Sequence, residues 1–218
     1  MKISITENGP YHVDSDLPLK EVESVGKGSA VMSYRLDKDL GVAEDTYLCR
    51  CGHSANKPFC DGHHANVHFD GAETNDRKTY DEKADFLPGE IYDALDNQEL
   101  CAAARFCDRN PSFWGALETT DGKSVKEMGC NCASGRLTLL DKETGEKIEP
   151  HLEKEIYLVK DTPANHLGPI HVRGGVQVVG SDGFEYEKRN RVTLCRCGKS
   201  NNKPYCDATH LSCPHMEL

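Results

Sequence analysis

A run of sixteen residues occurs twice in the chain and constrains its fold more than any other feature. The run reads CRCGHSANKPFCDGHH at residues 49–64 and returns as CRCGKSNNKPYCDATH at residues 195–210, with eleven of sixteen positions identical. Both copies keep three cysteines and a final histidine at the spacing C-x-C-x8-C-x3-H. Four such side chains at one spacing, present twice, indicate metal ligands rather than inert buried thiols.

The repeat extends upstream of the cysteines, because GPYHV at residues 9–13 is echoed by GPIHV at residues 168–172. Each copy is therefore predicted to be a β-like lead-in followed by a ligand loop. The lead-ins differ in length, so one copy carries an insertion. Each half has little apolar surface to bury alone, and small domains of this kind commonly depend on metal to fold. We expect the two copies to pack on each other about a pseudo-twofold axis.

The segment between the copies predicts a short helix and a hairpin. DNQELCAAARFC (residues 96–107) begins with Asp and Asn and continues with good helix formers. RLTLL (136–140) and EIYLV (155–159) flank the turn DKETGEK, which indicates a hairpin with a long loop. In the second copy, IHVRGGVQVVG and RVTLC predict strands, with Gly174 and Gly175 suited to a turn or bulge. We therefore expect an α+β fold that is rich in strands and has short helices.

Composition excludes several classes of protein. A formal net charge of −10 opposes nucleic-acid binding and favours basic redox partners. No apolar run approaches the roughly 18 residues of a membrane span, and the first residues lack the apolar region of a signal peptide. Eleven cysteines in 218 residues are too few for a disulfide scaffold. We expect a cytoplasmic location and reduced thiols that are available as ligands.

The spacing of the candidate ligands helps to distinguish zinc from an iron–sulfur cluster. Zinc sites usually use C-x2–4-C knuckles, and a C-x-C pair is tight for two ligands of one tetrahedral zinc ion. Iron–sulfur clusters take cysteine thiolates, and histidine can replace cysteine with a rise in reduction potential. Three cysteines and one histidine therefore favour a [2Fe–2S] centre, with zinc left open.

The repeated run resembles the CDGSH iron–sulfur (NEET) motif, C-x-C-x2-[ST]-x3-P-x-C-D-G-[STA]-H. The first copy supplies Cys49, Cys51, Ser54, Pro58, Cys60, Asp61, Gly62 and His64. The second copy supplies Cys195, Cys197, Ser200, Pro204, Cys206, Asp207 and His210. His63 stands where the motif has a small residue, and Ala208 replaces the glycine, which raises the question of a positive φ there.

The resemblance implies one [2Fe–2S] cluster in each loop, with Cys49 and Cys51 on one iron and Cys60 and His64 on the other. It implies the same for Cys195 and Cys197 against Cys206 and His210. Single-motif members of the family form homodimers, so this chain is expected to form that dimer internally and to be monomeric. The expected domains are residues 1–87 and 161–218 for the two CDGSH units and residues 88–160 for the central segment.

Further loop residues are expected to support the clusters. They are Arg50, Ser54, Lys57, Pro58, Asp61, Arg196, Ser200, Lys203, Pro204 and Asp207. The basic residues among them have two interpretations, namely solvated surface charge, or a functional role in stabilising the reduced cluster or attracting an acidic partner. The single histidine ligand of each loop can take a proton near neutral pH. We therefore hypothesise that redox and protonation are coupled and that acid promotes cluster loss.

Four central cysteines form a second group. Cys101 and Cys107 resemble the first cysteine pair of a divergent ferredoxin-like domain, and Cys130 and Cys132 lie in GCNCASGRL, which resembles its CPSG end. The resemblance implies a possible third iron–sulfur cluster. The alternative is that these cysteines pack beneath a small β/α layer. Cys213 has no partner set and is not predicted as a ligand.

The sequence predicts a redox carrier rather than an enzyme. No nucleophile–base set, phosphate-binding loop or dinucleotide fingerprint is present. The leading function is electron transfer or cluster transfer, with a redox partner or an apo-acceptor protein. The alternatives are a redox or iron sensor, a zinc-stapled interaction module, and an electron-delivery subunit of an oxidoreductase.

Overall fold

The computed structural model describes residues 1–14 and 16–218. Within these ranges the chain forms thirteen strands and three short α-helices, which confirms the β-rich α+β prediction. The strands are β1 (Lys2–Ile5), β2 (Tyr11–Val13), β3 (Leu17–Lys27), β4 (Ala30–Ala43), β5 (Thr46–Leu48), β6 (Asp85–Leu87), β7 (Asp93–Asp96), β8 (Leu137–Leu140), β9 (Lys147–Ile148), β10 (Glu155–Asp161), β11 (His166–Arg173), β12 (Gln177–Val179) and β13 (Arg191–Leu194). The helices are α1 (His63–Asn66), α2 (Phe113–Leu117) and α3 (Gly122–Asn131).

The two repeats build two sheets that exchange one strand each. The first sheet has the order β12-β1-β2-β5, so a strand of the second repeat joins three strands of the first. The second sheet has the order β13-β11-β10-β3-β4, so β3 of the first repeat joins β10, β11 and β13, and β4 lies beyond it at the edge. Both exchanged strands pair in parallel, with Ile3 opposite Val178 and Val22 opposite Val159. This reciprocal exchange is the pseudo-twofold arrangement expected from the repeat.

The exchange merges the two halves into one hydrophobic core. Ile3 and Leu48 of the first half are fully buried together with Ile156 and Leu194 of the second. Burial of one such side chain contributes about 1.5–3 kcal/mol, and these contacts exist only when both halves are folded. Each half therefore depends on the other. The insertion in the first copy is the long strand β4, which pairs with β3 at the edge of the second sheet.

Two predictions for the central segment are wrong. Residues 96–107 do not form a helix apart from a 3-10 turn at Gln98–Leu100, because Ala103 and Arg105 have φ angles of 52° and 57°, outside the right-handed helical region. The predicted hairpin partner of β8 is also wrong. β8 pairs with the short β9, whereas β10 is a central strand of the second sheet, between β3 and β11. The burial of β10 on both faces favours that interior place over a solvent-facing hairpin.

The central segment has a small core of its own. Strands β6 to β9 form a third sheet, and α2 and α3 bury Phe113 and Met128 with Leu137. Arg191 of β13 donates hydrogen bonds to the carbonyl oxygens of Cys132 (2.7 Å) and Gly129 (2.9 Å), which joins this segment to the second repeat. Within residues 1–14 and 16–218, no helix is long and apolar enough to cross a membrane.

Candidate metal centres

The first ligand loop begins at the end of β5 and is closed by two backbone hydrogen bonds. The N–H of Cys49 donates to the carbonyl oxygen of Pro58, and the N–H of Cys60 donates to that of Tyr47, both at 2.8 Å. The second loop follows β13 and is closed in the same way. The N–H groups of Cys195 and Cys206 donate to the carbonyl oxygens of Pro204 (2.8 Å) and Thr193 (2.9 Å). The strand ends therefore fix where the first and third cysteines of each loop lie.

The serine and aspartate of each motif hold the loop rather than facing the ligands. The Ser54 hydroxyl donates to the carbonyl oxygen of Phe59 at 2.6 Å. The carboxylate of Asp61 accepts from the N–H groups of Ala55 (2.7 Å) and His63 (3.0 Å). These bonds lower the pKa of Asp61.

The second loop repeats this hydrogen bonding. Ser200 donates to Tyr205, and Asp207 accepts from the N–H groups of Asn201 (2.8 Å) and Thr209 (3.0 Å). Ala208 has a φ of +71°, close to the +85° of Gly62 in the first loop. The motif position therefore needs the left-handed conformation even without glycine, at a cost of about 1–2 kcal/mol for alanine.

In each loop the four ligand side chains form two pairs. The sulfur atoms of Cys49 and Cys51 are 3.8 Å apart, and the Cys60 sulfur is 3.4 Å from Nδ1 of His64. In the second loop, the Cys195 and Cys197 sulfur atoms are 3.6 Å apart, and the Cys206 sulfur is 3.4 Å from Nδ1 of His210.

These distances test the fit of a metal. Two thiolates about 2.3 Å from one tetrahedral metal lie about 3.8 Å apart, and a thiolate and an imidazole nitrogen lie about 3.5 Å apart. All four pairs match these values, so each pair fits one tetrahedral metal. Among the described residues, no group of three or more His, Cys, Asp or Glu side chains is placed to hold a single ion.

The family model described as "Iron-binding zinc finger CDGSH type" matches residues 8–65 and 167–211. Two regions of the chain are therefore similar to the CDGSH iron-binding family. No curated protein and no solved structure matches the chain. The two matched regions contain both repeated loops and both lead-ins, which supports an iron–sulfur protein with two CDGSH motifs.

The thiols of each C-x-C pair have opposite pKa shifts. The Cys51 thiol donates a hydrogen bond to Cys49, which lowers the pKa of Cys49 and raises that of Cys51. Cys195 and Cys197 show the same two directions for the same reason. Cysteine binds metal as the thiolate, and the lowered pKa favours that form for one cysteine of each pair. Metal binding releases the protons of the remaining thiols.

The two CDGSH loops touch each other. A Cβ at Gly52 would lie 3.0 Å from the carbonyl oxygen of Cys197, and one at Gly198 would lie 2.8 Å from that of Cys51. Each loop thus approaches the other in the same way, as the pseudo-twofold arrangement of the two halves requires. This approach places the C-x-C pairs of the two loops next to each other.

We expect the Gly198→Ala variant to lose about 2–4 kcal/mol of unfolding free energy, because alanine at a φ of +78° would also press against the Cys51 carbonyl. Gly183→Ala is the matched control, since Gly183 has a φ of +85° and open space around it. The control is expected to lose only about 1–2 kcal/mol. Urea unfolding of the two iron-loaded variants measures the difference, and equal losses would show that the loops do not depend on this contact.

The two centres differ in burial. Cys206 and His210 of the second centre are 2% and 3% exposed, whereas Cys60 and His64 of the first are only partly buried. Burial, with a smaller contribution from Arg196, lowers the pKa of His210 to about 4. His64 lines an open groove of about 500 Å³. The first centre therefore faces solvent and the second does not.

The end of the chain covers the second centre, which sequence reasoning missed. Cys213 and Met216 are buried against Cys195 and Cys197. His215 contacts the Cys197 carbonyl oxygen through Nε2 at 3.0 Å. The sequence signal for this cover was the set of apolar residues in LSCPHMEL, whose spacing did not reveal where that segment packs.

The arginine between the first two cysteines is buried in both loops, so the surface interpretation is wrong for Arg50 and Arg196. Arg196 donates to the carbonyl oxygens of Gly168 and Val159, both at 2.6 Å. Arg50 donates to Gly71 at 2.7 Å. Burial lowers the pKa of Arg196 to about 10, and the charges of Glu21 and Cys49 oppose that shift.

The lysines among the predicted supporting residues lie nearer the surface. Lys57 is exposed, and Lys203 is partly buried and donates to the carbonyl oxygen of Ser200 at 3.1 Å. Pro58 and Pro204 are buried, and their carbonyl oxygens close the loops as described above. Neither lysine is as deeply buried as Arg50 and Arg196.

The four central cysteines do not share the same charged neighbours. Burial raises the pKa of Cys107 to about 11, with Cys132 and Cys101 as its next largest influences. The charged neighbours of Cys130 are instead Arg191, Lys126 and Glu149. A third centre at Cys101, Cys107, Cys130 and Cys132 stays a prediction.

Proposed function

We propose that each CDGSH loop holds one [2Fe–2S] cluster and that the protein transfers electrons or clusters. The observation that carries the proposal is that each ligand set divides into two pairs, each with the separation expected for two ligands of one tetrahedral metal. Cys49 and Cys51 would hold one iron of the first cluster, and Cys60 and His64 would hold the other.

In the second loop, Cys195 and Cys197 would hold one iron, and Cys206 and His210 the other. A structural zinc ion requires four ligands around one point, and each loop offers two ligands at each of two points. A two-iron centre matches that division, since its irons take thiolates or, as in Rieske centres, histidines. When bound, such a centre supplies one-electron chemistry, and the protein supplies its ligands, charge and solvent access.

Access favours the first centre as the point of exchange with a partner. His64 lines the open groove and Cys60 is partly exposed, whereas Cys206 and His210 are buried. The partner would be a redox protein or an apo-acceptor protein. The acidic net charge of −10 favours a basic surface on that partner.

The histidines supply the proton coupling. An imidazole nitrogen that ligates metal must be unprotonated, so protons compete with metal for Nδ1. Solvent reaches the partly exposed His64, whereas His210 is buried and its pKa of about 4 favours the unprotonated ring. Acid is therefore expected to weaken the first centre before the second.

Transfer to an apo-ferredoxin tests this function. We expect the iron-loaded protein to give up no more than half of its iron quickly, and to do so several-fold faster at pH 6 than at pH 8, because protons compete for His64. Iron in the two separated proteins is measured over time. Fast and reversible electron exchange without iron transfer would restrict the function to electron transfer, and neither activity would contradict the proposal.

A further inference from the structure

A cleft lies between the central segment and the outer face of the second sheet, away from both CDGSH loops. Its volume is about 340 Å³, within the range of small-molecule sites, and such sites favour boundaries between structural units. The residues that matter for its chemistry are Tyr34, Phe106, Tyr157, His171, Arg173 and Arg191.

Unpartnered polar atoms are concentrated in this cleft. Both ring nitrogens of His171, the hydroxyl of Tyr34 and Nε of Arg173 are buried without a hydrogen-bond partner in the described part of the chain. They are four of the seven such side-chain atoms recorded there. His171 is only 5% exposed. Buried polar groups are nearly always satisfied, so four together indicate a missing binding partner.

The arginines and hydrogen-bond donors that line the cleft favour an anionic ligand. Two arginines line the cleft, and its lining among the described residues includes no Asp or Glu. Arg191 is paired with backbone carbonyls and Glu149, and Arg173 donates to Glu155 through Nη1, so only Nε of Arg173 is left as a donor without a partner. Tyr34 and one nitrogen of His171 can also donate. These three donors without acceptors, one of them on a guanidinium, suit a carboxylate better than a cationic group.

The remaining wall is aromatic. The rings of Tyr34 and Phe106 are 5.1 Å apart in an edge-to-face arrangement, and Tyr157 and His171 are 6.0 Å apart. Such a wall can bind a cation, but the guanidinium of Arg173 already lies 4.3 Å from the Tyr157 ring centroid. An aromatic ring is the complementary occupant that adds no positive charge.

We propose that this cleft binds a small aromatic carboxylate. Its carboxylate accepts hydrogen bonds from Arg173, His171 and Tyr34, and its ring packs against the aromatic wall. This site is separate from the proposed exchange of electrons or clusters at the first centre.

Calorimetric titration of the iron-loaded protein with benzoate tests the proposal. We expect saturable 1:1 binding that His171→Phe and Tyr34→Phe each weaken about tenfold or more, because each loses a hydrogen bond to a charged group. His12→Phe is the matched control, since His12 holds the same position in the other repeat and bonds Asp45 at 2.7 Å on the surface. It is expected to bind benzoate as the wild type does.

Two further probes separate the parts of the proposal. Benzamide keeps the ring without the charge, and cyclohexanecarboxylate keeps the charge without the aromatic ring. We expect both to bind at least several-fold more weakly than benzoate. The assignment would be overturned if the folded wild type did not bind benzoate. It would also be overturned if the folded His171→Phe and Tyr34→Phe variants both bound benzoate as tightly as the wild type does, or if either probe bound as tightly as benzoate. Tyr34→Phe keeps the test decisive if His171→Phe does not fold.

Discussion

Acidification is expected to bleach the visible absorbance of the iron-loaded protein in two phases of similar amplitude. The first phase belongs to the solvent-facing centre, because protons in water reach the partly exposed His64. The second phase belongs to the buried centre and becomes fast only as the pH approaches 4, where His210 takes a proton. The rates are expected to differ at least tenfold at pH 5, where few His210 rings are protonated.

Ligand substitutions assign the phases. Stopped-flow pH jumps of the His64→Cys variant are expected to show only the slow phase, and those of His210→Cys only the fast phase, since a thiolate replaces the proton-sensitive ring. Each variant is also expected to lower the reduction potential of its own centre by on the order of 100 mV. His63→Ala is the control, because His63 is exposed and beside the ligand. A single phase in the wild type, or a lost phase in the control, would contradict this assignment.

Removing one ligand from either centre is expected to remove half of the iron, but with unequal effects on stability. Cys60→Ala alters a partly exposed loop, whereas Cys206→Ala opens a centre that is buried within the shared structure. Because metal binding to a buried site contributes directly to folding, we expect Cys206→Ala to lose about 3 kcal/mol more unfolding free energy than Cys60→Ala. Denaturant unfolding and metal analysis of the purified variants measure both effects.

Cys213→Ala provides the control for this comparison. Cys213 is 5% exposed and packs against the second centre, but the motif does not include it. We expect this variant to keep its full iron content and to lose only about 1–2 kcal/mol through the small cavity. Loss of half the iron in Cys213→Ala, or equal destabilisation by Cys60→Ala and Cys206→Ala, would show that the centres are not organised as described.

Local sequence spacing predicted the ligand loops because their geometry is local. Cys49 and Cys51 are two residues apart, and the loop is closed by bonds among its own residues. The repeat also predicted the packing of the two halves. Ala208 shows the limit of the motif, since only the structure shows that its φ is positive.

Features that depend on distant contacts were not predictable in this way. Helix formers at residues 96–107 suggested a helix, but Arg105 bonds Asp161, more than fifty residues away, and adopts a positive φ. The exchanged strands β3 and β12 carry no local sign of their partners. The unequal burial of the centres arises because residues after His210 fold back over one loop, and nearly identical motifs carry no information about that cover.

Iron, acid-labile sulfide and zinc, counted per chain alongside the visible spectrum of freshly purified protein, test the central claim most directly. Two [2Fe–2S] clusters predict about four irons and four sulfides per chain, with a red-brown colour, and a third centre would raise the iron count to about six or eight. A colourless protein that holds two zinc ions and no sulfide would contradict the claim.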